Sequence, residues 1–301
     1  MNLNYIFLTD DGSRLRAGWR LLIQTAVMLA GFSCFGIPLI LIYYFFDPTS
    51  AFTGKLTPAL LLLSTVVETF AFTTSIFLAR RFLDKQSIES LGLKINWRAL
   101  FDLLAGIGIT FIQMGFIYLA MHSLGWLTFK GFAWDVDSLG QVIGNTLIFL
   151  FVFILVGWNE ELLSRGYHLQ TLASGLNLFW GVAISSTVFG FLHIFNPGSS
   201  WVAVLGITLA GLFFAFAYLR TKQLWLPIGL HIGWNFFEGV VFGFPVSGLD
   251  IYPLARIVVT GPELWTGGKF GPEAGLIVLP SLIAGGILIW LLTRNRSTNS
   301  V

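Results

Sequence analysis

The chain has 301 residues, 55% of them hydrophobic and 11% charged, with 30 Phe, 11 Trp and a mean hydropathy of +0.80. A soluble domain carries about a quarter charged residues, so this composition excludes one, and a net charge of +2 gives no sign of a nucleic-acid partner. The single cysteine, Cys34, excludes an intramolecular disulfide and a cysteine-ligated zinc site, and its place in an apolar run reads as a buried, inert thiol.

The apolar residues collect in runs of roughly 18 or more, long enough to cross ~30 Å of hydrocarbon. The expected fold is all-α, a polytopic membrane protein with about eight transmembrane helices in one integral domain over 1–301. After a polar stretch over 1–17, without a recognisable cleavable signal, the spans fall near Trp19–Phe46, Leu56–Leu78, Phe101–His122, Val142–Trp158 and beyond, Leu178–Phe195, Val202–Leu219, Leu224–Phe242 and Leu276–Leu292.

The loops give an independent check. One side collects Arg14, Arg16, Arg20, Arg80, Arg81, Lys85, Lys94, Arg98, Arg165, Arg220, Lys222, Arg294 and Arg296, and the other Lys55, Lys130, Arg256 and Lys269. Cationic loops stay in the cytoplasm, so both termini are expected there, with the plasma (cell inner) membrane as location. Arg80–Arg98 is the longest inner connection, read as an interfacial helix or a charged loop. Gly243–Gly275 is the longest outer one, read as an ordered but irregular cap.

Ionisable groups at membrane depth are functional candidates by default. In Trp158–Gly166, Glu160 and Glu161 are adjacent and cannot share one helical face, whereas Glu161 and Arg165 are spaced i,i+4 and can pair. If the fourth helix stopped at Trp158, Glu160 would sit at the surface. The sequence through Ala173 is compatible with continued helix, with Gly175 as a stop, and this extension lifts Glu160 by ~20 Å. On the fifth and seventh spans Phe189 with His193, and His231 with Asn235, share helical stripes, and Glu238 extends the latter as a partner one layer out. Depth is less favourable: His193 lies ~22 Å from its cytoplasmic start but His231 only ~10 Å. Asp102 reads as a helix-dipole residue and His122 as interfacial, and Glu68, deeper in the membrane, reads as pairing with a neighbour or lining a cavity.

Glutamate, two histidines and an asparagine on three helices fit hydrolysis by an activated water. Glu160 is the base; His193 and His231 position water, hold a divalent metal such as zinc together with Glu160, or bond the oxyanion; Asn235 donates to the developing charge. Glu161 with Arg165 is the buried pair that holds Glu160 in place. The H-E-x-x-H zinc motif and a Ser/His/Asp nucleophile elbow are absent.

Glu160-Glu161-Leu-Leu-Ser-Arg165, Phe189-Gly-Phe-Leu-His193 and His231-Ile-Gly-Trp-Asn235 resemble the E-E-x-x-x-R, F-x-x-x-H and H-x-x-x-N motifs of the CAAX prenyl protease and bacteriocin-processing family, also called Abi. The likeness covers about Ile148–Val240, within a motif-bearing core at about 140–243. It implies an eight-helix intramembrane endopeptidase acting on a membrane-associated or lipidated peptide. The residue matching Glu160 would activate water, aided by that matching His193, and those matching His231 and Asn235 would stabilise the oxyanion or help hold a metal. The rival readings are a non-catalytic immunity or scaffold protein of the same fold and a proton-coupled transporter. The oligomeric state is not legible.

Overall fold

The computed structural model describes residues 4–9, 11–48 and 57–296. Lys55 and Leu56, used above for topology and for the second span, lie outside the described residues. Among the described residues eight helices carry the fold: α1 Ala17–Phe46, α2 Pro58–Leu83, α3 Trp97–Ser123, α4 Leu139–Gly175, α5 Leu178–Leu192, α6 Trp201–Thr221, α7 Trp225–Asn235 with a π-helical continuation over Phe236–Val241, and α8 Val278–Thr293. Five of them, α1–α4 and α6, are long and apolar enough to cross a membrane, and α5 and α8 are shorter apolar helices of 15 and 16 residues. The chain is a polytopic, multi-pass helical membrane protein.

Local chemistry sets the helix starts. Thr57 accepts a hydrogen bond from the Leu60 amide with Pro58 in the first turn, and Asn96, Asn177 and Ser200 cap α3, α5 and α6 in the same way. At α4, Ser138 and Gln141 exchange hydrogen bonds as a capping box. Each such cap satisfies an otherwise orphaned amide and contributes about 1 kcal/mol.

Burial orders the helices radially. α1 packs on α2 and on the last turns of α4, and leaves Leu22, Leu29 and Leu41 exposed to the bilayer. Cys34 is exposed on the same helix, contrary to the inert core thiol expected, because α1 is covered along one side only. By contrast α7 is buried from Leu226 through Asn235. Its neighbour α3 comes so close that a Cβ on Gly229 would lie 2.1 Å from the Leu103 carbonyl, and one on Gly233 2.1 Å from Thr110 Oγ1. Small residues at this spacing let two backbones touch where lipid provides no hydrophobic drive.

The inner connection differs from both expectations. α2 runs on to Leu83, a short 3₁₀ turn covers Ile88–Leu91, and Arg80 and Asp84 are buried rather than solvated. Asp84 accepts from Arg80 at 3.1 Å and also from Arg20, while Arg20 reaches Ser174 of α4 at 2.8 Å. Two guanidiniums around one carboxylate explain the burial, since an unpaired charge there would be costly. Asp102 likewise takes Arg296, beyond α8, at 2.8 Å. It is an ion-pair residue rather than a helix-dipole one. The outer cap contains a feature not expected from sequence: β1 Leu127–Phe132 pairs antiparallel with β2 Ala255–Val259.

Candidate active site

The predicted extension of helix four is present, with a change of pitch. α4 is α-helical to Glu161, π-helical over Leu162–Leu169 and α-helical again to Gly175. Such π-helical insertions occur frequently at functional sites. Here the change begins directly after the two glutamates.

Those glutamates have separate surroundings, as the spacing required. Glu161 is fully buried, and its Oε1 accepts from Arg165 Nη1 at 2.8 Å and lies 2.9 Å from His231 Nδ1. Arg165 is held from the other side as well. Its Nη2 donates to the Gly211 carbonyl of α6 at 2.8 Å, and its guanidinium lies 4.4 Å from the Phe189 ring centroid. Glu160 is partly exposed into a cavity, and its Oε2 stands 3.8 Å from His231 Nε2 and 3.9 Å from His193 Nε2.

Both imidazoles are oriented by their second nitrogen. His193, the residue that closes α5, has Nδ1 2.9 Å from the Phe189 carbonyl, and His231 has Nδ1 on the Glu161 carboxylate while its ring stacks on Phe214 at 5.1 Å. A carbonyl and a carboxylate only accept, so each ring donates from Nδ1. In its neutral form each then leaves Nε2 as an acceptor turned toward Glu160. Asn235, at the α-to-π junction of α7, lines the same cavity and is 7% exposed, and its side-chain amide makes no hydrogen bond among the described residues.

All six predicted residues are thus brought together. The depth mismatch calculated for His231 does not keep the groups apart: although α7 begins only a few residues after exposed Lys222, His231 lines the same cavity as His193 and stands 3.8 Å from Glu160. The three donors predicted to hold a metal do face one another, but at standoff distances. Among the described residues no group of three or more His, Cys, Asp or Glu is arranged to hold a metal ion.

Glu238 does not join His231. The pitch widens after Asn235, so the seven-residue stripe does not carry through, and Glu238 is buried where it interacts electrostatically with Glu273 instead. Other residues at the site were missed. Glu273, in the turn before α8, accepts from Trp234 Nε1 at 3.1 Å and from Ser247 N and Oγ at 2.9 and 2.6 Å, fixing the outer cap over the site. Glu68 of α2, by contrast, was named from the sequence as pairing with a neighbour or lining a cavity, and it does line the cavity, where it interacts electrostatically with Glu160. Asn159 is 1% exposed, with both polar side-chain atoms unpaired among the described residues. Its position beside Glu160 was the available signal.

The cavity encloses about 420 Å³ between α2, α4, α5, α6, α7 and the outer cap, with Phe153, Leu163 and Phe214 in its walls. Polar groups converging in an apolar concavity are the usual form of a small-molecule or peptide site.

Comparison with known proteins agrees with the motifs. Residues 142–237 match the family model described as type II CAAX prenyl endopeptidase Rce1-like. The protein named "Putative membrane peptidase YdiL" of Bacillus subtilis (strain 168) is 31% identical over 113 residues, which is 37% of this chain and 44% of that protein. The chain therefore matches less than half the length of that relative. No solved structure matches the chain.

Proposed function

We propose that this chain, whose residues 142–237 match the Rce1-like type II CAAX prenyl endopeptidase family model, is an intramembrane endopeptidase that hydrolyses a peptide bond with a water activated by Glu160. The observation that carries the reading is the Glu160 carboxylate facing two imidazole Nε2 atoms at 3.8 and 3.9 Å in a largely apolar cavity.

In this reading a water between the three groups has acceptors for both of its protons. Glu160 takes one as the water oxygen attacks the scissile carbonyl, and an Nε2 lone pair accepts the hydrogen bond of the other and fixes the direction of attack. The Asn235 amide donates to the oxyanion. It is a donor lining the cavity with no hydrogen bond among the described residues, and the neutral imidazoles point acceptors inward. As the C–N bond breaks, Glu160 returns its proton to the leaving amine. Glu161 and Arg165 keep His231 in one tautomer and one orientation, because the same carboxylate oxygen takes both.

In a second reading Glu160, His193 and His231 would be the residues to hold a divalent metal such as zinc; their Nδ1 atoms donate away from the cavity as those of ligating histidines do, although among the described residues the three are not arranged as a metal-binding group. No step above depends on it. The substrate is proposed to be a membrane-associated or lipidated peptide presented within the plasma membrane.

The test is purified protein in liposomes with a membrane-peptide library, comparing wild type with Glu160→Ala. The expected result is a variant of unchanged thermal stability whose cleavage falls by 10²-fold or more, the usual weight of a general base. A well-folded Glu160→Ala that cleaves like wild type would sink the assignment. Exhaustive chelation decides the second reading, which requires that cleavage stop and return with added metal.

A further inference from the structure

Four carboxylates surround the site, and three are accounted for. Glu161 is taken by Arg165 and His231, Glu273 by Trp234 and Ser247, and Glu160 faces the two histidines. Glu68 is the remainder. Its carboxylate lines the cavity from α2, with no hydrogen bond and no cation among the described residues, and its electrostatic neighbour is Glu160, of the same sign. No Lys or Arg lines the cavity. A carboxylate at membrane depth without a counter-charge is costly, and such groups normally have a partner in the bundle or in what passes through it. A second observation points the same way: Asn235, 7% exposed and lining the same cavity, has no side-chain hydrogen bond among the described residues.

We propose that Glu68 is a specificity residue whose carboxylate receives a cationic group of the substrate, a lysine or arginine side chain close to the scissile bond. The proposal rests on the peptidase reading for its setting, but not for its test. A cation arriving beside Glu68 would offset the Glu68–Glu160 repulsion and supply the missing partner, whereas a carboxylate arriving there would meet two like charges and no counter-ion. The cavity thereby selects against a free C-terminal carboxylate lodged next to Glu68 and in favour of an internal or amine-bearing segment.

The experiment uses the full chain in nanodiscs with matched membrane peptides carrying lysine, norleucine or glutamate at each position within two residues of the cleaved bond. Binding is measured with reduced-bond, uncleavable versions, and kcat/KM with cleavable ones. The expected result is that at one position lysine binds at least tenfold more tightly than norleucine, and norleucine more tightly than glutamate. In Glu68→Gln the lysine-to-norleucine ratio should fall to about one, in Glu68→Asp it should be kept, and in Glu68→Lys the preference should pass to glutamate. Wild type binding all three alike overturns the proposal, whether or not anything is cleaved. So does a lysine preference that persists in folded Glu68→Gln. Peptides bound with the lysine preference yet never cut would overturn the peptidase reading and leave Glu68 as the cation site.

Discussion

His231 is the residue on which the site turns, since one ring touches both glutamates: Nδ1 is 2.9 Å from Glu161 and Nε2 is 3.8 Å from Glu160. Replacing it with Gln should leave the fold and abolish cleavage, because an amide cannot serve both carboxylates with the same geometry; peptide turnover beside a thermal melt checks this. Breaking the pair behind it is different. Glu161→Ala leaves Arg165 buried without its carboxylate, and the loss of one partner of a buried pair costs about 3–5 kcal/mol. The expected signature is a lowered melting temperature together with lost activity, and unaltered stability in detergent would contradict it. At this scale much was legible: the i,i+4 relation separated Glu160 from Glu161 before any coordinates. For Glu68 the sequence left pairing and cavity-lining both open, and Glu273 stayed opaque, because such roles depend on which helix or loop lies opposite, and no local spacing encodes that.

Among the elements, α7 against α3 is the tightest joint. A side chain at Gly229 would drive its Cβ into the Leu103 backbone, which cannot move aside without shifting α3. Gly229→Val is therefore expected to destabilise by more than the usual 1–3 kcal/mol of core overpacking and to displace His231 and Asn235. Loss of activity with an unchanged melt would show instead that the joint yields. The helix starts could be read from Thr57, Asn96, Ser138, Asn177 and Ser200, since capping is local chemistry. The π-helical runs after Glu161 and Asn235 could not, because they arise from how α4 and α7 are packed. The extension of α4 was visible, but its change of pitch was not. β1 and β2 were hidden for a related reason: such short strands are defined by a partner far away in the chain, as Leu127 is by Val259, rather than by their own pattern.

For the whole molecule, the surplus of Lys and Arg on one set of loops predicts sidedness, and labelling tests it. With Cys34 replaced, a cysteine at exposed Lys269 in the outer cap should react with an impermeant maleimide on intact cells, and one at exposed Lys222 only after permeabilisation. The reverse pattern would invert the topology. Composition and run length gave the membrane class directly. They did not show that Arg20, Arg80 and Arg296 serve as internal ion pairs as well as topological signals, because the partners Asp84 and Asp102 are close in space and, for Arg20 and Arg296, remote in sequence.

The complete enclosure of α7 bears on how the protein is made. Eleven residues containing Pro227, Gly229, Gly233 and a histidine form a weak insertion signal for a translocating ribosome, well short of the ~20 apolar residues that settle in lipid unaided. The helix is held by protein on all sides, so it is accepted into the bilayer by its neighbours rather than by lipid. His231 and Asn235 then take up their positions only when α3, α4 and α6 are already assembled around them. On this argument the candidate site is completed only once the neighbouring helices are in place around α7. Trp225–Val241 transplanted alone into a reporter of membrane integration should fail to integrate, and co-expression with the rest of the bundle should restore it.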